Sequence, residues 1–188
     1  MKIITFIFLS VLLISCSNEG TTPLVSELIF THGSQYIKGE IYVILKDSVS
    51  LEDFADYIYS LDSVTIRSVR NLHYSSVLPK DSMQVIDSVI KSKSSIGYVL
   101  VKTSFSDSAK TILTEFPVFS FNRKDLIDWK YLKERFKLSH IPYPSSTGTL
   151  KVPIGKEKEL VNYLSQTDYF KEVSLAYSME EQIDLSGQ

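Results

Sequence analysis

The pattern of this chain predicts an α+β fold, with helices packed on a sheet. Three observations carry that reading. β-branched runs suited to strands alternate with one-sided helical stripes; the alternation recurs three times along the chain; and 44% apolar with 22% charged residues is ordinary globular composition for 188 residues.

The first strand-helix-strand unit spans residues 39–69. Ile41, Tyr42, Val43, Ile44 and Leu45 form a strand-like run broken by Asp47 and Ser48. Ser50 then stands as an N-cap with Asp53 three residues on, close to a capping box. Leu51, Phe54, Ala55, Ile58 and Leu61 follow at helical spacing, and Val64 to Val69 reads as the return strand. The second unit spans residues 97–123. Here Tyr98-Val99-Leu100-Val101 reads as a strand. Ser106 or Asp107 caps a helix with Ala109, Ile112, Leu113 and Phe116 on one face, and Val118-Phe119-Ser120-Phe121 reads as a strand after Pro117. The third unit spans residues 148–177. Leu150, Val152 and Ile154 alternate, Gly155 ends the strand, Leu160, Val161 and Leu164 form a helical stripe, and Val173, Leu175 and Tyr177 alternate again.

Two further helices are expected between the units. Asp81 would cap one carrying Met83, Ile86, Val89 and Ile90. Asp125 would cap another carrying Leu126, Trp129, Leu132, Lys133 and Phe136, stopped near Pro142. Two βαβ units joined in sequence are the ferredoxin-like plan. The extra helices between them make the expected arrangement a decorated version of it.

The amino terminus carries an address. Met1-Lys2 is a minimal positive region, and residues 3–14 form a nearly unbroken apolar run. That run is shorter than the ~20 apolar residues of a membrane-spanning helix and fits the ~7–15 residues of a signal-peptide core. Leu13-Ile14-Ser15-Cys16 follows, and Cys16 is the single cysteine of the chain. This segment resembles the lipobox of bacterial lipoproteins. The resemblance implies removal of residues 1–15, a thioether-linked diacylglycerol on the Cys16 thiol and an acylated Cys16 amine. Two or three acyl chains hold stably, at ~0.8 kcal/mol per buried CH₂. Residues 16–23 are polar and turn-rich and read as a tether, so the globular region is expected over residues 24–188, with 24–123 and 124–188 as candidate subdomains. Ser17 after the cysteine, by resemblance to the enteric sorting rule, favours the outer membrane; the face of that membrane stays open.

The third unit also bears a faint family likeness. Gly148-Thr149-Leu150-Lys151-Val152-Pro153-Ile154-Gly155-Lys156-Glu157-Lys158-Glu159-Leu160-Val161, followed by the return strand from Phe170 to Tyr177, is similar to the pro-domains of subtilisin-type proteases and the related inhibitors. The unit at residues 39–69 has the same rhythm. The likeness covers about a third of the chain and rests on fold grammar. It implies a last strand that feeds a tail, here residues 179–188, into a protease cleft.

Candidate chemistry is sparse. A net charge of −2 with scattered Lys and Arg gives no field for nucleic acid. His32, His73 and His140 are far apart in sequence, so they read as isolated surface or loop residues and no metal site is expected. No nucleophile motif or phosphate-binding glycine loop is present, and no catalytic residue or cofactor is assigned. Asp47, Glu52, Asp53 and Asp56 cluster at a helix start, where the helix dipole favours negative charge. Tyr36, Tyr42, Tyr57, Tyr59, Tyr74 and Tyr98 are expected half-buried on strands and helices, or gathered as a contact face. The expected partners are the membrane, through the lipid on Cys16, and an envelope protein. The leading expectation is a non-catalytic interaction module. The alternatives are a pro-domain-like protease inhibitor and an envelope hydrolase assembled from scattered residues.

Overall fold

The computed structural model describes residues 36–178. The signal, Cys16, the tether, His32 and the 179–188 tail lie outside the described residues. Eleven elements follow in order: β1 (Tyr36–Leu45), α1 (Leu51–Ser60), β2 (Thr65–Ser76), α2 (Met83–Lys91), β3 (Lys102–Ser106), β4 (Thr111–Phe119), α3 (Arg123–Arg135), β5 (Leu138–His140), β6 (Thr147–Lys151), α4 (Glu157–Leu164) and β7 (Phe170–Tyr177). The class is α+β. One antiparallel sheet runs β3-β4-β2-β6-β1-β7, and β5 also pairs with β2.

Both strand-helix-strand units at the chain ends form, and they interleave. β6 pairs antiparallel with β1 and with β2, so β1 and β2 run parallel with β6 between them. In the same way β1 lies between β6 and β7. One sheet therefore takes strands from both sides of residue 123.

The sheet buries one face. Ile41, Val43 and Leu45 of β1, Leu150 of β6, Ile66, Val69, Leu72 and Tyr74 of β2, and Ile112, Phe116 and Val118 of β4 are buried in a common cluster. Phe54 and Ile58 of α1, Ile86 and Ile90 of α2, Leu126, Trp129 and Leu132 of α3, and Leu164 of α4 close over them in that cluster. The alternate positions of β1, such as Tyr42 and Ile44, are only partly covered, as expected of an antiparallel sheet with one covered face.

Two glycines make the interleaving fit. A Cβ on Gly148 of β6 would sit 3.0 Å from Val43 Cγ2, so the bare backbone leaves room for the β1 side chain, with the Phe54 ring of α1 in ordinary contact at 3.6 Å. Gly39 takes a left-handed φ of +77° where β1 shifts register against β7. Its amide donates to Glu157 Oε1 at 2.7 Å, and the Gly155 amide donates to Oε2 at 2.8 Å. Glu157, at the start of α4, thus ties the β1 irregularity to the turn after β6.

The middle unit departs from expectation. Residues 98–100 form a single 3-10 turn, and the stretch read as a helix is the β3-β4 hairpin. Ile112, Thr114 and Phe116 are buried at every second position, the period of a strand. Lys110, with φ +53°, completes the turn. Ser120, at φ +47°, takes the chain off the sheet, so the expected strand at 118–121 ends at Phe119. The helix caps also shift. α3 starts at Asn122, whose side chain accepts from the Lys124 and Asp125 amides, while Asp125 accepts from the Asn122 amide; Asp125 is the third residue of that capping box. α2 follows a 3-10 turn over Lys80–Ser82, and Asp81 is not its cap. β2 runs past Val69 to Ser76 through Asn71, at φ +58°.

Leu164 is fully buried, whereas Leu160 only packs against the rim of the cluster. Leu164→Ala should cost about 2–5 kcal/mol, and Leu160→Ala less than about 2 kcal/mol. Denaturant midpoints with unchanged m-values would show that order; equal costs would show that α4 is seated differently.

Candidate functional site

Two polar groupings lie where α1 meets α3, one buried and one at the surface. The buried grouping starts from Glu52. Ser50 caps α1 by accepting from the Asp53 amide, which fixes the first turn. On that turn Glu52 lies three residues before Ala55, so it falls on the stripe that faces the core, and it is 7% exposed. Three donors converge on its carboxylate. Tyr74 Oη donates at 2.9 Å, Trp129 Nε1 donates at 3.1 Å, and the Lys133 ammonium pairs with Oε1. The Tyr74 hydroxyl in turn accepts from the Leu51 amide at 3.1 Å.

Burial pushes the Glu52 carboxyl up, but the Lys133 ammonium and the backbone, Trp129 and Tyr74 donors outweigh it and hold the group below the usual carboxylate range. Burial and the neighbouring Glu52 charge push the Tyr74 hydroxyl well above its ordinary value, so it stays a donor. The rings reinforce the arrangement: Tyr74 and Trp129 meet edge-on at 4.9 Å, and Phe116 lies 5.1 Å from Trp129.

The histidines differ from the expectation of isolated surface or loop positions. His73 lies on β2 and His140 on β5, with His140 opposite Tyr74 and the Ile141 amide donating to the His73 carbonyl. His140 lies 5.6 Å from the Tyr74 ring, and the His73 ring lies 3.9 Å from that of Tyr143, tilted by 31°. Burial lowers both imidazoles below the usual value; for His140, Glu52 and Asp53 oppose the shift. Among the described residues no group of three or more His, Cys, Asp or Glu could hold a metal ion.

The acidic cluster is divided by the fold. Asp47 pairs with Lys171, Asp53 with the Ser50 cap, and Asp56 with Lys130 at 2.7 Å; only Glu52 turns inward. The tyrosines do not gather on one face. Tyr74 is buried, Tyr57 stacks on Tyr169 at 4.2 Å, and Tyr36 is partly exposed at the start of β1. Tyr42 is half-buried on β1, and the Tyr98 side chain lies outside the description.

The surface grouping centres on Tyr59. Its hydroxyl donates to the Phe121 carbonyl, and its own carbonyl accepts from the Arg123 guanidinium, which also lies 5.6 Å from the ring centroid. Burial, helped by Asp125 and opposed by Arg123, pushes the Tyr59 hydroxyl up to about 12. Two open grooves share Tyr59 and Arg123. One, of about 450 Å³, runs along the start of β2; the other, of about 380 Å³, lies between α1 and α3 beside Asp56 and Lys130. On the outer side of α3, Ile127 and Tyr131 stand one turn apart at 68% and 63% exposure.

No protein-family model matches the chain, and no curated protein or solved structure matches it.

Glu52→Ala leaves a buried indole N–H, a hydroxyl and a partly buried ammonium without their acceptor. It should cost about 3 kcal/mol, the low end for breaking a buried ion pair, because Lys133 is one-third exposed. The lowered Glu52 pKa means that its share of stability is complete above the unfolded value of ~4.3 and is lost as pH falls through the folded value. Unfolding measured from pH 7 to pH 3 should therefore show a smaller acid-side loss for Glu52→Gln than for the natural chain. Parallel pH curves would show that Glu52 is not held charged.

Proposed function

We propose that this chain is a lipid-anchored envelope lipoprotein, held through Cys16, whose folded part is a non-catalytic module that binds an envelope protein. The anchor half rests on Leu13-Ile14-Ser15-Cys16 after an apolar run, and outer-membrane residence rests on Ser17. The observation that carries the binding half is the outer face of α3. Ile127 and Tyr131 present large apolar side chains to solvent at helical spacing, beside the exposed cations Lys130 and Arg123. Tyrosine and arginine are enriched where interfaces concentrate their energy. The buried charge nearby has a supporting role, since each acceptor of Glu52 is matched to an internal donor.

A second reading draws on the strand connectivity. The strand order β7-β1-β6-β2, with α1 after β1 and α4 after β6, supports a ferredoxin-like reading of these elements, with residues 83–140 as its decoration. β7 lies at the outer end of the sheet path and leads directly to residues 179–188. That placement favours the pro-domain-like inhibitor, whose last strand delivers a tail to a protease.

One set of strains tests both readings. In a diderm bacterium the full chain should take up a fatty-acid analogue, and Cys16→Ala should remain unlabelled precursor. The anchored chain should crosslink to a discrete envelope protein, and Ile127→Asp with Tyr131→Asp should reduce that product about fivefold or more with an unchanged melting temperature. Label on Cys16→Ala overturns the anchor, and undiminished crosslinking in the double variant overturns the α3 face. Slowing of a subtilisin-type protease at micromolar concentration would move the reading to the inhibitor; none rejects it.

A further inference from the structure

The larger groove lies where β4 leaves the sheet. The β2-β4 ladder ends at Ser68 opposite Phe119, and one last bond runs from the Ser120 amide to the Arg67 carbonyl at 2.7 Å. Ser120 then turns the chain away into α3. β2 itself begins earlier, at Thr65. Its first residues are paired with β6 on one side, Thr65 opposite Lys151 and Ile66 opposite Leu150. On the other side β4 has already gone, and the groove of about 450 Å³ occupies its place. This volume is within the ~300–1,000 Å³ of ordinary ligand sites.

The walls carry a charge bias. Arg67, Arg123 and Lys151 line the groove against a single acid, Asp62. Arg67 is neutralised in part by Glu40. Arg123 spends its hydrogen bond on the uncharged Tyr59 carbonyl, and among the described residues neither Arg123 nor Lys151 has a carboxylate within ion-pairing distance. At the α3 start the Asn122, Lys124 and Asp125 amides are already engaged in the capping box. The positive character therefore comes chiefly from Arg123 and Lys151, which form no ion pair among the described residues, Glu40 opposite Lys151 in the β1-β6 register being paired with Arg67.

We propose that this groove receives a short extended acidic segment of a partner protein. The segment lies along the start of β2 in the place of a continued β4, with its carboxylates on Arg123 and Lys151. Strand addition supplies main-chain hydrogen bonds, and the two cations select the side chains. Tyr59 forms an aromatic wall for the apolar positions between the acids. The proposal rests on the interaction-module reading and names the chemistry of the partner.

The test uses the full chain in detergent and a fluorescein-labelled peptide of alternating Glu and Val, eight residues long, read by anisotropy. The peptide should bind, and more weakly as salt rises. Its Lys-for-Glu counterpart should not. Lys151→Glu and Arg123→Glu should each weaken binding about tenfold or more. Lys151 is exposed at a strand end, so its variant keeps the test valid if Arg123→Glu fails to fold. Binding unchanged in a folded Lys151→Glu chain overturns the site. So does displacement of the peptide by inorganic phosphate or acetate at the concentration that saturates with free Glu-Val dipeptide, which would mark a simple anion site. Crosslinking to an envelope partner without peptide binding defeats this inference and leaves the module reading standing. Peptide binding with no crosslinked partner does the reverse.

Discussion

Gly148 lies where three parts of the chain meet. Val43 of β1 comes close enough to its backbone that a methyl group there would press on it, at 3.0 Å from Cγ2, while Phe54 of α1 stands at the ordinary contact distance of 3.6 Å. Through Phe54, α1 reaches β6, a strand far later in the sequence. β1 and β2 have no ladder between them, so the first strand-helix-strand unit cannot close its own sheet. It needs β6 in the gap, and β6 with β7 needs β1 in the same way. Hydrophobic burial and the backbone ladders therefore cooperate across the full length of the described chain, and neither end supplies a complete sheet alone.

The β2-β4 ladder joins the middle segment to this frame, and Glu52 ties α3 to α1. A carboxylate under a helix would be costly without partners. Here a hydroxyl from β2 and an indole and an ammonium from α3 all meet it. The network fixes the approach of α3 to α1, and the surface that results has both grooves around Tyr59 and Arg123. The proposed binding surface is in this sense a product of the buried charge: moving α3 would change the distance from Arg123 to Tyr59 and the shape of the space that β4 leaves. The salt bridge of Lys130 with Asp56, both largely exposed, adds little to that placement.

What the sequence made legible follows from how local each signal is. The stripe Leu51, Phe54, Ala55 and Ile58 has one period, and its helix forms with the expected Ser50 cap. The same holds for Val161 and Leu164 in α4. Residues 109–116 satisfied two periods at once. Ala109, Ile112, Leu113 and Phe116 fit a helix, while Ile112, Thr114, Phe116 and Val118 fit a strand. The β-branched Thr111, Ile112, Thr114 and Val118 favour the strand, and the turn residues 107–110 let it pair locally with β3. Glu52 was hidden because an acid in a first helical turn suits the dipole whether or not it is buried. The available signal was its place three residues before Ala55, together with a lone tryptophan on α3 whose indole N–H requires an acceptor once buried. The place of His140 opposite Tyr74 could not be read from spacing, because β5 is a three-residue strand whose pairing with β2 is a tertiary event.

Native-state hydrogen exchange tests the interdependence of the two interleaved units most directly. Amides of β1, β2 and β6 should open with a common free energy equal to that of global unfolding, because removing β6 separates β1 from β2. If β6 and β7 open together at a free energy lower by more than about 2 kcal/mol while β1 and β2 stay protected, the first unit holds itself together and the account is contradicted.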